Sequence, residues 1–375
     1  MIRFRLAAPA SFAALSLAAA LLLSGCTGGG TTRTSSSPPS SSSPSSSTTA
    51  PAGQGGASSS EALALEQDYV KVVDKVRPSV VQITTSSGLG SGVVYDTKGD
   101  IVTNDHVVYG ARTVTVQLPT RSQPVQGRVV SAFPGDDLAV VRVSGVNPSA
   151  LHPAKFADSS KLQVGDIVLA IGNPLGLSGS VTDGIVSAVG RTVPEPAKPP
   201  SPKGVITNAI QTSAPINPGN SGGALVTLSG DVVGIPTLAA VDPQIGGAAN
   251  GIGFAIPSNT VTDIANQIIR YGHVVNSHRA ELGILAQQVL NQVTGQPAGV
   301  LVARLAHPSP AGRAGIRPGD VITAINGHAV HTTSDLETIL AQLKPGQRVK
   351  VSFVKPDGSR ATVTVKLGTL PGNTS

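Results

Sequence analysis

Short apolar runs rich in valine and isoleucine recur from residue 80 to residue 256, and Gly, Pro, Asp and Asn separate them. Runs of this length predict β-strands, and the residues between them predict turns. The predicted strands lie at residues 80–85, 92–95, 101–103, 113–118, 125–131, 139–143, 167–171, 184–189, 206–211, 224–227, 232–235 and 253–256. Because no helical pattern interrupts these strands, the pattern predicts a β-sandwich or a pair of β-barrels.

The apolar period changes after residue 257. Val261, Ile264, Ala265, Ile268 and Ile269 fall on one face of a helix. We expect Ser258 to cap that helix and Gly272 to end it. The polar residues 273–279 then predict a domain boundary.

A second unit follows from residue 281. It combines predicted strands at 282–287, 299–305, 320–325, 348–354 and 361–367 with a predicted helix at 333–343. Pro-Gly, Asn-Gly and Asp-Gly pairs mark its turns. The pattern indicates a small αβ module.

The N-terminus has a different composition. Arg3 and Arg5 precede an apolar run at 12–23 that ends at Cys26. This order predicts a secretory signal at 1–25, with lipidation of Cys26 favoured over a free thiol. Residues 26–60 are mostly Ser, Thr, Pro, Gly and Ala, a composition that predicts a disordered linker.

Composition narrows the class of protein. The 375 residues include 43 Gly and 29 Pro with only 3% aromatics, as suits a turn-rich β protein. The net charge of +6 is scattered, so nothing indicates a nucleic-acid-binding face. Cys26 is the single cysteine, which excludes an intramolecular disulfide.

Three segments carry candidate chemistry. His106 follows a predicted strand, Asp136 and Asp137 precede another, and Ser221 lies among glycines at 219–223. Each alone has an ordinary alternative: a structural histidine, a turn aspartate, a flexible loop. A serine nucleophile, however, needs a histidine base that a carboxylate orients. Together, in the order His, Asp, Ser, the segments predict a chymotrypsin-like triad.

These segments resemble the HtrA/DegP family of trypsin-like serine proteases with PDZ domains. The resemblance covers residues 70–367 and rests on residues 78–81, 90–93, 103–108, 137–140, 171–177, 182–191, 216–224 and 251–257. It implies a chymotrypsin-like double β-barrel protease domain at 61–273 and a PDZ domain at 279–369. It assigns the catalytic roles to His106, Asp137 and Ser221, because the family's aspartate directly precedes the apolar-Ala-apolar strand. The implied oxyanion hole lies at Gly219, Asn220 and Ser221.

The sequence departs from the family pattern at three positions. Asp105 stands where the family commonly has Asn, and it adds a negative charge that favours the protonated form of His106. Ser213 and Pro215 stand where Asp and Ala are common. The resemblance implies cleavage after small or medium aliphatic residues, with Ile216 as a candidate pocket residue.

The C-terminal unit resembles a bacterial PDZ domain through residues 314–322 and 325–327. Such domains bind a peptide C-terminus as an added strand. The carboxylate loop is expected at Glu281, Leu282, Gly283 and Ile284. The alternative is a PDZ fold that serves only as a spacer or assembly surface.

The resemblance implies an ATP-independent endopeptidase, lipid-anchored outside the cytoplasm, that degrades misfolded or damaged exported proteins. It also implies a homotrimer, with Tyr69 as the one aromatic candidate in the N-terminal contacts, and no metal or organic cofactor. Two alternatives stay open. A chaperone or adaptor would bind C-termini with little cleavage, and an esterase would have no use for a PDZ domain.

Overall fold

The computed structural model describes residues 55–86, 88–173, 179–194, 205–217, 219–242, 247–291 and 294–372. The predicted signal segment 1–25 and the lipidation site Cys26 lie outside this part of the chain. The predicted linker 26–60 is too long, because the first helix, α1 (Gly55–Val76), begins inside it. Once Val72 and Val76 pack in the core, further turns add to the helix at little cost. No helix in the described ranges is long and apolar enough to cross a membrane.

The remaining helices are short, apart from the one after the last barrel strand. They are α2 (Asp105–Val108), α3 (Ser258–Tyr271), α4 (Pro310–Arg313) and α5 (Thr333–Ala341). The strands of the first part are β1 (Val80–Thr85), β2 (Gly88–Val94), β3 (Asp100–Thr103), β4 (Thr113–Gln117), β5 (Val125–Phe133), β6 (Leu138–Val143), β7 (Ile167–Gly172), β8 (Ser180–Pro194), β9 (Val205–Thr212), β10 (Ala224–Thr227), β11 (Val232–Asp242) and β12 (Gly247–Pro257).

These strands form two closed barrels. The first has the order β1-β2-β3-β6-β5-β4 and the second β10-β11-β12-β9-β8-β7. Val and Ile side chains fill each interior, and a third cluster joins the barrels to α1 and α3. The predicted mainly-β, double-barrel architecture is confirmed.

The second part is a small αβ unit, also as predicted. Its strands are β13 (Ala280–Glu281), β14 (Ile284–Leu290), β15 (Pro297–Leu305), β16 (Val321–Ile325), β17 (His328–Ala329), β18 (Arg348–Val354), β19 (Arg360–Lys366) and β20 (Gly368–Thr369). In the main sheet β14 lies at the edge and pairs only with β15. A buried cluster that includes Leu282, Ile322, Leu336 and Phe353 forms its core.

The prediction that Ser258 caps α3 is wrong. Pro257 occupies the cap position, and the Ser258 hydroxyl donates to the carbonyl of Ala157 at 2.5 Å. Gly272 ends the helix as predicted, in a left-handed conformation that glycine adopts without a steric penalty. Ser258 therefore ties α3 to the barrels.

Candidate active site

The three candidate catalytic residues come from segments that meet between the barrels. His106 lies in α2, directly after β3, and Asp137 lies between a 3-10 helix at Pro134–Asp136 and β6. Ser221 lies in the turn that leads into β10 of the second barrel. Both barrels therefore contribute to one site, as the predicted triad requires.

The structure joins His106 and Asp137 directly. The His106 Nδ1 atom lies 2.8 Å from Asp137 Oδ2 and 3.0 Å from Oδ1, and the His106 backbone N–H donates to Oδ1 at 3.0 Å. The Asp137 side chain is 2% exposed, while that of His106 is 25% exposed. A buried carboxylate bound to one ring nitrogen fixes the tautomer and leaves the other nitrogen as a base.

Thr237, which the sequence analysis missed, connects the other components. Its hydroxyl donates to Asp137 Oδ2, and its backbone carbonyl accepts a hydrogen bond of 3.1 Å from the Ser221 hydroxyl. Thr237 therefore touches both the acid and the nucleophile. Its only sequence signal was a hydroxyl residue just beyond the predicted strand 232–235, which is too common to identify it.

Ser221 is connected to His106 and Asp137 through Thr237. Within the described part of the chain, no hydrogen bond joins Ser221 to His106, because the hydroxyl donates to Thr237 instead. Rotation about one side-chain torsion would turn the hydroxyl away from that carbonyl. Gly222 lets the loop that carries Ser221 lie against the backbone of Ser91, because a side chain at position 222 would collide with that backbone.

The loop before Ser221 contains the residues predicted to form the oxyanion hole. Among the described contacts, neither the Gly219 N–H nor the Ser221 N–H has an acceptor, so both remain available to a ligand. The Asn220 N–H is not available, since it donates to Asn217 O at 3.2 Å, and the Asn220 side chain bonds Asn217 N and Pro215 O. Asn220 therefore braces the loop and is not a third donor.

The second candidate site is a groove in the C-terminal unit. A cavity of about 240 Å³ lies between β14 and α5, lined by apolar residues that include Leu282, Ile284 and Leu336, and Gly135 and Val205 of the first part also line it. The carbonyls of Leu282 and Gly283 accept from Ala311 N and Ala306 N. Their own N–H groups have no acceptor in the described ranges. A loop of open amides beside an edge strand suits a peptide carboxylate.

Comparison with known proteins agrees with this geometry. A trypsin-like peptidase domain family matches residues 90–235, and a PDZ domain family matches residues 280–367. Among solved structures, an HtrA-type protease, AlgW, with a tripeptide is 33% identical, covering 81% of this chain and 98% of that one with a TM-score of 0.53. The serine endoprotease from Yersinia pestis is 31% identical, covering 80% and 98%, also with a TM-score of 0.53. This chain belongs to the HtrA-type family of trypsin-like serine proteases.

Curated relatives are longer than this chain. The periplasmic serine endoprotease DegP of Escherichia coli is 39% identical over 285 residues, which is 74% of this chain and 56% of DegP. A probable DegP-like periplasmic serine endoprotease of Pseudomonas putida is 38% identical over 294 residues, 76% of this chain and 57% of that protein. This chain therefore spans slightly more than half the length of these relatives.

The departures from the HtrA pattern lie around the site. The side chain of Asp105 is 3% exposed, and burial, then the charge of Asp137, raises the pKa of its carboxyl to about 7, although His106 acts in the opposite direction. The Ser213 hydroxyl accepts from Ile185 N at 3.0 Å, and Pro215 O accepts from Thr182 at 2.7 Å. Ser213 and Pro215 thus have structural partners on β8.

The candidate pocket residue Ile216 is 6% exposed and packs against Gly253 of β12. A side chain at position 253 would collide with it. The isoleucine thus occupies the space that the missing side chain leaves.

Proposed function

We propose that this HtrA-type protein is an ATP-independent serine endopeptidase that degrades misfolded or damaged exported proteins outside the cytoplasm. The carrying observation is the bonded pair His106–Asp137, together with Thr237, which bonds both Asp137 and the Ser221 hydroxyl. The relatives named as periplasmic serine endoproteases support the reaction and the compartment.

In the proposed mechanism the Ser221 oxygen attacks the scissile carbonyl while His106 takes the hydroxyl proton. Asp137 stabilises the imidazolium that forms, and the Gly219 and Ser221 amides bind the oxyanion. His106 then gives the proton to the leaving amine. Water, activated in the same way, hydrolyses the acyl-enzyme and regenerates Ser221.

We propose further that Ile216 limits the specificity pocket to small or medium aliphatic side chains. Its packing against Gly253 fills space that a larger substrate side chain would need. Replacing Ile216 with alanine would extend cleavage toward larger residues, measured by sequencing the products of a peptide library.

The PDZ domain is proposed to bind peptide C-termini at Glu281, Leu282, Gly283 and Ile284. The open amides of the loop and the free edge of β14 support this role. The AlgW structure with a tripeptide shows that a relative has been solved with a peptide. The proposed protease domain covers residues 61–273, and α1 adds residues back to Gly55. The proposed PDZ domain covers residues 279–369.

Membrane attachment through Cys26 and assembly as a homotrimer are also proposed. The segment Leu23-Ser24-Gly25-Cys26 supports lipidation. A Cys26→Ala variant would move the protein from the membrane to the soluble fraction.

In the proposed trimer, Tyr69 is the aromatic candidate for the contacts between copies. In this structure its side chain packs partly buried on the core. Sedimentation analysis tests the assembly.

The deciding experiment uses residues 54–375, which form one compact unit. Casein would be incubated with this protein, with Ser221→Ala and with the control Ser229→Ala, whose serine lies in the exposed turn between β10 and β11. Each would be tested with and without a peptide that has an apolar C-terminus. We expect cleavage that only Ser221→Ala abolishes. Peptide binding without cleavage by any of the three would favour the adaptor alternative.

A further inference from the structure

The turn before β6 contains two consecutive buried acids with different partners. Asp137 contacts His106, whereas Asp136 Oδ1 lies 3.2 Å from Nη1 of Arg279. The same Arg279 nitrogen also donates to the backbone carbonyl of Gly135. One guanidinium therefore binds both a side chain and the backbone of the turn that carries Asp137.

This ion pair is almost completely enclosed. The side chains of Asp136 and Arg279 are 3% and 11% exposed. Burial raises the pKa of Asp136 to about 6; Arg279 opposes the increase, and Asp263 adds to it. At neutral pH the carboxylate is thus ionised, and a buried carboxylate without a partner would be strongly disfavoured.

The geometry of Asp137 depends on this turn. Asp137 adopts a left-handed conformation with φ of 50°, uncommon for a residue other than glycine, and its N–H donates to Pro134 O at 3.2 Å. The Asn104 side-chain amide donates to the backbone carbonyl of Asp137 at 3.0 Å. Arg279 therefore fixes the turn before Asp137, and Asn104 fixes the carbonyl of Asp137 itself.

Arg279 does not belong to the first barrel that it holds. It lies directly before β13, where the chain enters the PDZ domain, and both Arg279 and Gly135 line the groove cavity. The contact spans 143 residues of sequence. The position of the catalytic acid therefore depends on a residue from the start of the second domain.

We propose that Asp136 and Arg279 are positioning residues for the triad, through which the entry segment of the PDZ domain holds Asp137 in its catalytic orientation. This inference rests on the proposed protease function. It assigns a role to the acid that the sequence comparison set aside as non-catalytic. Neither residue touches the reacting atoms, and both act through Asp137.

The test uses Arg279→Met, which keeps the aliphatic stem and removes every donor, together with Asp136→Asn and Arg279→Lys. Rates on a fluorogenic peptide would be divided by the concentration of active sites, counted with a serine-directed fluorophosphonate. We expect Arg279→Met and Asp136→Asn to lower kcat about 10- to 100-fold with little change in KM, because misplacement of a catalytic group affects the chemical step. Arg279→Lys, which restores a cation, would recover part of kcat.

The matched control is Arg142→Met. Arg142 forms a two-bond ion pair with buried Asp100 in the same barrel, at 2.7 and 2.9 Å. This variant would lose stability and keep its kcat per active site. A kcat within twofold of wild type in Arg279→Met and Asp136→Asn would overturn the proposal. Absence of Ser221-dependent cleavage in the wild-type protein would instead overturn the protease function.

Discussion

Replacing Asp105 with asparagine removes a buried carboxyl beside the triad, and the structure sets the sign of the effect on stability. The pKa of this group is about 7 in the folded protein, compared with 3.8 ordinarily. Between these values the folded protein keeps a proton that the unfolded chain has released, so stability falls as pH rises. The penalty grows by about 1.4 kcal/mol per pH unit and reaches about 4 kcal/mol above pH 7.

Urea unfolding of wild type and Asp105→Asn at several pH values from 4.5 to 8 would measure this penalty. The difference between the two free energies of unfolding isolates position 105. We expect the variant to gain stability relative to wild type as pH rises, and the gain to level off above about pH 7.

Asp158→Asn is the control, because hydrogen bonds from Asn259 and Ser160 lower the pKa of Asp158 to about 2. That carboxyl is ionised in both states throughout the range, so its difference from wild type would stay constant. Parallel curves for wild type and Asp105→Asn would refute the argument that burial controls the ionisation of Asp105.

Two further predictions concern activity, and a third concerns peptide binding. Asp137→Asn should lower kcat about 10⁴-fold, as in comparable triads, in single-turnover assays; a near-normal rate would exclude Asp137 as the catalytic acid. Thr237→Val should lower kcat per active site by about tenfold while Thr237→Ser retains it, because only the hydroxyl contacts Asp137; equal rates would limit Thr237 to packing. A peptide with an amidated C-terminus should bind the groove at least about tenfold more weakly than the free acid in fluorescence anisotropy, and equal affinity would contradict the carboxylate loop at Gly283.

The sequence predicted those parts of the molecule whose signals are local. The strands Val80–Thr85 and Ala224–Thr227 have the predicted bounds, because apolar runs between turn residues mark each strand without reference to its partners. The pairing of His106 with Asp137 was predicted for a related reason. His106 follows β3 and Asp137 directly precedes β6, each in a short motif that the family resemblance could align.

The features that the sequence did not predict depend on contacts between distant segments. Thr237 meets Asp137 across 100 residues, and Ser258 meets Ala157 across 101. A hydroxyl near a predicted strand or helix start has many possible partners, and local propensity favours the nearest. Packing between the two barrels and of α3 on the segment that joins them supplies the actual partners, so the predicted cap at Ser258 was wrong and Thr237 was missed.

The two neighbouring aspartates show why conformation, and not residue type, separates catalytic from supporting acids. Both are buried, and nothing in their chemistry distinguishes Asp136 from Asp137. The left-handed turn at Asp137 directs one carboxylate to His106 and the other to Arg279. Each acid therefore has a partner of its own, an imidazole for Asp137 and a guanidinium for Asp136. If the proposed positioning role holds, the orientation of Asp137 depends on a guanidinium from the segment that enters the PDZ domain.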